Sequence, residues 1–234
     1  MAFNLTITVA IVAFMLSHLL MLMIQVLSKT SVLRQMTPEL QVILLLMVTF
    51  CFFFVNGRVC KDPKLVTSDD FFTSGLNTAK TPTFAGSTFS AASINEISGL
   101  NTFGLTLIRN DFEPDTVTSP HIHPRATELA LILEGSLYFG FVTTDLSDRT
   151  KNRVYAKTYN AGDVFVIPQG LIHFGLNVGS GNATTIAVFN SQSPGFNFVP
   201  DSLFRSNPPI SDDVLSKSFR VDKKVITQIR SQFS

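Results

Sequence analysis

The sequence predicts an all-β domain, a barrel or sandwich of short strands, followed by α-helices at the C-terminal end. Three observations carry this. From Asn56 onward, short apolar runs alternate with turn residues, as in sandwiches and barrels. Several runs are apolar at consecutive positions, Leu129–Leu133 for one, so both faces of the strand call for cover and an oligomer is expected. After Pro208-Pro209 the apolar spacing becomes helical. The chain has 234 residues, 45% apolar and 15% charged, which excludes disorder and leaves room for one sizeable domain plus an extra segment. Net charge is +1 and no Lys/Arg cluster occurs, so nothing points to nucleic acid.

Residues 1–55 form a hydrophobic N-terminal region, read as a signal peptide, a membrane segment or both. Ile7 to Leu27 is long enough to span a bilayer and is broken only by Ser17, His18 and Gln25. Val42 to Val55 is too short for a span but fits the apolar core of a signal peptide. Lys29 and Arg34 between the runs favour the cytoplasmic side, which places residues 56–234 outside the cell, secreted or anchored facing outward. Cys51 and Cys60 suit one disulfide in an oxidising compartment; Cys51 lies in the second apolar run, so two unpaired thiols is the alternative.

In the domain from 56 to 234, strands are expected at Leu105–Ile108, Glu128–Leu133, Ser136–Val142, Asp163–Ile167 and Thr185–Phe189. Glu134-Gly135 and Ala161-Gly162 supply turns. Ser211 is a helix cap with Asp212 and Asp213 in the first turn, where the helix dipole favours acids. A second helix begins near Asp222, with Val225, Ile226, Ile229 and Phe233 at helical spacing. Asn182-Ala-Thr184 is an N-glycosylation acceptor on a Gly-flanked loop.

The chemistry concentrates in two short stretches. In His121-Ile-His123 the two imidazoles, two residues apart in an extended strand, face one space. Glu128 follows a turn-forming Pro124-Arg125-Ala126-Thr127 and opens the next strand, and His173 follows the turn Pro168-Gln169-Gly170. Three imidazoles and one carboxylate suit a first-row divalent metal and not a thiolate-loving one. A single histidine is usually an ordinary buried residue. Here three of the four in the chain fall in these stretches.

The run Ser119 to Glu128, continuing to Gly135, resembles the first conserved box of plant germins and germin-like proteins of the cupin superfamily. Gly162 to Asn177 is similar to their second box. Val55–Pro63, Asn190–Gly195, Pro208–Leu215 and Val221–Val225 extend the likeness over residues 55–234. The resemblance implies a cupin jelly-roll β-barrel with C-terminal α-helices and a manganese ion on His121, His123, Glu128 and His173, with Asn177 as a supporting residue. It also implies secretion to the apoplast, a role in defence or stress, and a homo-oligomer, a hexamer built as a trimer of dimers whose C-terminal helices clasp neighbours.

Three departures matter. Asp115 stands where the first box opens on glycine. Cys51–Cys60 is a shorter spacing than the family's cysteine pair. Members that oxidise oxalate carry two pocket asparagines, at positions that correspond to Ile108 and Thr118 here. Ile cannot replace an amide's hydrogen bond to a carboxylate. The expectation is therefore a manganese superoxide dismutase lacking oxalate oxidase activity, with a small oxyanion or dioxygen species at the metal and no catalytic residue beyond that centre. The alternative is a non-enzymatic metal-binding structural, storage or receptor-type wall protein.

Overall fold

A computed structural model describes residues 37–39, 42–43, 54–78 and 87–233. The chain divides into two compact units, Met1–Val66 and Thr67–Ser234. In the first, β1 (Phe54–Val55) pairs antiparallel with β2 (Arg58–Val59). The turn between them is Asn56-Gly57, with φ of 52° and 76°, the positive pair that a two-residue hairpin of this type requires. Ile7–Leu27, most of Val42–Val55, and Cys51 lie outside the described residues; Cys60 is exposed. Among the described residues, no helix is long and apolar enough to cross a membrane.

Among the described residues the second unit carries ten strands: β3 (Ser87–Ala92), β4 (Thr106–Phe112), β5 (Val117–Ile122), β6 (Glu128–Glu134), β7 (Ser136–Thr144), β8 (Asn152–Asn160), β9 (Val164–Ile167), β10 (Ile172–Asn177), β11 (Ala183–Phe189) and β12 (Asn197–Phe198). They form two antiparallel five-stranded sheets, ordered β3-β4-β11-β6-β9 and β12-β5-β10-β7-β8. Among the described residues no strand pairing joins the sheets, so the expected jelly roll is an open barrel. The core lies between them, built by inward residues such as Ile108, Phe112, Ile132, Leu137, Phe165 and Phe189.

Register sets which side chains share a level. Residues directly opposite in a sheet point to the same face. One inward row reads Ile167, Glu128, Phe189, Thr106; the next, Phe165, Ala130, Ala187, Ile108, Ala91; the third, Ile132, Thr185, Asn110, Phe89. The alternate residues of β6 and β9 point outward, and Leu129, Leu133, Val164 and Val166 are each about half exposed. The consecutive apolar residues of β6 thus cover one buried face and one bare one.

Turns hold where the sequence marks them. Gly135, between β6 and β7, has φ of +82°, and a Cβ there would lie 2.5 Å from the Ala183 Cβ, so glycine is required twice over. Asp115 has φ of +59°. This position needs the left-handed conformation, and a short polar side chain tolerates it far better than a branched one. The exchange of glycine for Asp115 is thereby accommodated.

Three helices end the chain: α1 (Val199–Phe204), α2 (Asp212–Phe219) and α3 (Lys223–Arg230). Ser211 caps α2 through its Oγ, which accepts from Val214 N at 3.3 Å, and Asp222 caps α3 by accepting from Lys224 N at 2.7 Å. Phe204, Leu215 and Ile226 pack into a small core joined by Ile229 and Phe233. Arg230 binds Asp212 at 2.6 Å and the Ile210 carbonyl at 2.8 Å, fastening α3 to the start of α2.

Candidate metal centre

The four expected ligands converge on the inner faces of the two sheets. His121 on β5 is directly opposite His173 on β10. His123 follows one residue after β5, and Glu128 opens β6 on the facing sheet. One ligand atom from each of His121, His123 and His173 lies within 4.8 Å of the others. The Glu128 Oε2 stands 3.3 Å from the Nε2 of both His123 and His173. All four side chains are buried.

The orientation of the rings is fixed from behind. His121 Nδ1 lies 2.9 Å from the Ser119 carbonyl, His123 Nδ1 2.7 Å from that of Gly195, and His173 Nδ1 2.9 Å from that of Leu171. A carbonyl accepts only, so each Nδ1 carries a proton, and in the neutral ring each Nε2 presents a lone pair inward. Two such lone pairs then face a carboxylate oxygen at 3.3 Å. With neutral rings that arrangement is repulsive, and a proton on an Nε2 or a metal ion among the donors relieves it. His173 Nε2 is buried without a hydrogen-bond partner among the described residues, which agrees. The chemistry of three imidazole nitrogens and one carboxylate fits a divalent first-row ion, and a six-coordinate ion would keep two positions for small ligands.

Electrostatics favour the metal-ready protonation state. Burial pushes His121 down to about 3, aided by the charge of His173. Burial raises the Glu128 carboxyl, but hydrogen bonds donated by His123 and His173 in their protonated form, and the charge those rings then carry, outweigh it and hold it at about 2. The imidazole of His121 is therefore neutral and the carboxylate ionised across the neutral range.

A cavity of about 410 Å³ opens onto His121, His123 and Glu128, walled by Ile108, Thr118, Phe139, Phe189, Phe196 and Phe198 among others. Ile108 and Thr118 both face it, where oxalate-oxidising members are expected to present amides. The Phe196 ring is 4.5 Å from that of His123, edge to face, and stacks on Phe89 at 5.7 Å.

The remaining candidates are elsewhere. Asn177 is 1% exposed, and its amide donates to the carbonyls of Phe112, Glu113 and Gly181 while accepting from Gly179 N. Its bonds run to main chain, tying the end of β10 to two neighbouring turns. Asn182 is exposed on the loop before β11. Arg125 donates to the carbonyl and hydroxyl of Ser193 at 2.7 and 3.2 Å. Sequence reasoning missed the role of Gly195 as the carbonyl behind His123 and the pocket position of Phe196. The alternating Phe196-Asn-Phe198 run is the signal that was available for the latter.

The cupin family model matches residues 74–227. A putative germin-like protein 2-1 of Oryza sativa subsp. japonica is 48% identical over 180 residues, covering 76% of this chain and 82% of that one. A putative germin-like protein subfamily 1 member 12 of Arabidopsis thaliana is 48% identical over 182 residues, 77% of this chain and 80% of its own. A solved structure of an oxalate oxidase in complex with the substrate analogue glycolate is similar with a TM-score of 0.72 at 41% identity, covering 77% of this chain and 89% of that one.

Proposed function

Since the chain belongs to the cupin family, within its germin-like branch, we propose that it is a secreted, manganese-binding protein of the plant extracellular matrix that dismutes superoxide and does not oxidise oxalate. The observation that carries the reading is the convergence of the His123 and His173 Nε2 atoms on Glu128 Oε2, each at 3.3 Å, beside His121. His121, His123, Glu128 and His173 would hold the ion. Manganese bound there supplies one-electron redox chemistry. The protein's part is to hold the three imidazoles rigid through main-chain carbonyls, to keep His121 neutral and Glu128 ionised, and to shield the centre within the barrel. Ile108 offers no donor to a carboxylate, so a dianion entering beside the metal would lose water without compensation.

A homo-oligomer is part of this reading, a trimer of dimers by resemblance, and the bare Leu129, Leu133, Val164 and Val166 face supports it. Asn182, exposed beside β11, is the proposed glycosylation site, and Cys51–Cys60 the proposed disulfide. A non-enzymatic reading is favoured by one observation: His173 is 0% exposed and His123 2%, so a metal there would stabilise the barrel whatever else it did.

The test is metal analysis of purified protein together with superoxide and oxalate assays. Expected is about one manganese per chain, superoxide dismutation and no oxalate consumption, with both metal and dismutation lost in His123→Ala. Dismutation that survives His123→Ala overturns the assignment. Manganese without dismutation, with a melting temperature that falls on its removal, moves the conclusion to the non-enzymatic reading.

A further inference from the structure

Asn110 sits in the third inward row, directly opposite Phe89 on β3 and Thr185 on β11. It faces the cavity that opens on the metal ligands, as do both of those neighbours. Its amide donates to Thr185 Oγ1 at 3.3 Å, and among the described residues this is the side chain's hydrogen bond. An amide offers two donors and two acceptor lone pairs, so most of its capacity is unspent. Its inward neighbours on the strand, Ile108 and Phe112, are apolar and 2% exposed. Asn110 is only partly buried, so its unspent donors and acceptors can be reached by a ligand that enters the cavity.

The place of this amide says what. Residues two apart on a strand are about 7 Å apart, so Asn110 lies one such step beyond Ile108. An apolar track joins the two ends: Phe196 packs on His123 at 4.5 Å and stacks on Phe89 at 5.7 Å, and Phe89 lies beside Asn110. The cavity of about 410 Å³ falls within the roughly 300–1,000 Å³ range of small-molecule sites. Asn110 and Thr185 bring no charge. Arg205 also lines the cavity but is paired with Asp201 at 3.7 Å, so a second carboxylate on Asn110 and Thr185 would meet no free cation, whereas a hydroxyl would be satisfied.

We propose that Asn110 and Thr185 form a distal anchor for a hydroxyl group, and that the cavity takes a monocarboxylate longer than two carbons, carboxylate toward the metal ligands and hydroxyl on Asn110. The carboxylate end rests on the metal reading above; the hydroxyl end does not.

The experiment is calorimetric titration of manganese-loaded protein, its metal content measured in each sample, with glycolate, 6-hydroxyhexanoate and hexanoate. Expected is binding of 6-hydroxyhexanoate about ten-fold tighter than hexanoate, the worth of one buried hydrogen-bonded group, and tighter than glycolate. Asn110→Val abolishes the ten-fold difference and leaves metal content unchanged; Asn110→Thr, which keeps a hydroxyl, restores part of it. A hydroxyl that makes no difference in the wild type, or a difference that survives Asn110→Val, overturns the proposal. Should the chain hold no manganese, the metal reading fails on that measurement alone. The anchor is then judged by whether 6-hydroxyhexanoate raises the melting temperature of wild type more than hexanoate does, and equally in Asn110→Val.

Discussion

Replacing His173 by leucine separates a metal ligand from a core histidine, because the two roles predict opposite results in the absence of metal. In the metal-free protein His173 Nε2 is buried and unpaired among the described residues, which costs about 1–3 kcal/mol. Leucine removes that cost. It also removes the Nδ1–H that serves the Leu171 carbonyl at 2.9 Å, a loss of about 1 kcal/mol. The sum lies near zero, within about 2 kcal/mol either way. With manganese at a hundred times its dissociation constant, the wild type gains about 2.7 kcal/mol. For a chain of this size that is a rise in melting temperature of about 5–11 °C. His173→Leu gains none of it. Thermal unfolding in chelator and in excess manganese reads all four values. A variant that loses more than about 3 kcal/mol in chelator, or one that gains as much from manganese as wild type, refutes the reasoning.

Three further outcomes are expected. Metal-free protein loses stability on acidification: His121 titrates near 6.5 when unfolded but near 3 when folded, so the unfolded state takes up the proton first. The loss runs from about pH 6.5 downward at about 1.4 kcal/mol per unit, and Glu128, held at about 2, adds to it below about pH 4.5; a melting temperature that stays level from pH 7 to 5 in chelator contradicts this, and His121→Leu flattens the upper part of the curve. Asn177→Ala orphans main-chain groups in two turns and costs about 2–4 kcal/mol in chemical denaturation, with manganese stoichiometry retained. Ile226→Ala opens a void in the helical core, where Ile226 is 0% exposed, and costs about 2–5 kcal/mol; a loss below about 1 kcal/mol shows that α3 contributes little to the fold.

Much of this molecule could be read from local pattern. Strand alternation placed His121 and His123 on one side, the turn after Pro124 returned Glu128 to them, and Ser211 and Asp222 announced helix starts that the structure keeps. What escaped was of two kinds. Strand β8, Asn152–Asn160, is exposed along nearly its whole length and so has no apolar alternation to reveal it; only its pairing with β7 makes it a strand. β3 is built of small residues with a single phenylalanine, and α1 is one short turn begun by Val199-Pro200. The second kind is non-local. The carbonyl of Gly195 reaches His123 across 72 residues of sequence, and no spacing rule connects them. The Asn110–Thr185 contact joins positions 75 apart by register alone.

The way the three imidazoles are held has a consequence for how such a barrel can change. Each ring is aligned by a main-chain oxygen, of Ser119, Leu171 or Gly195, and not by a neighbouring side chain. Main-chain oxygens are common to every residue type, so substitutions at Ser119 and Leu171 do not delete the alignment; Gly195, with φ of +75° and room for no Cβ beside Pro124, is the exception. The cavity wall has no such protection: Ile108, Asn110, Thr118 and Phe196 each act through their own side chains. Ancestry can thus rewrite the wall freely while the centre stays intact, and relatives with one metal geometry can diverge widely in what they admit to it.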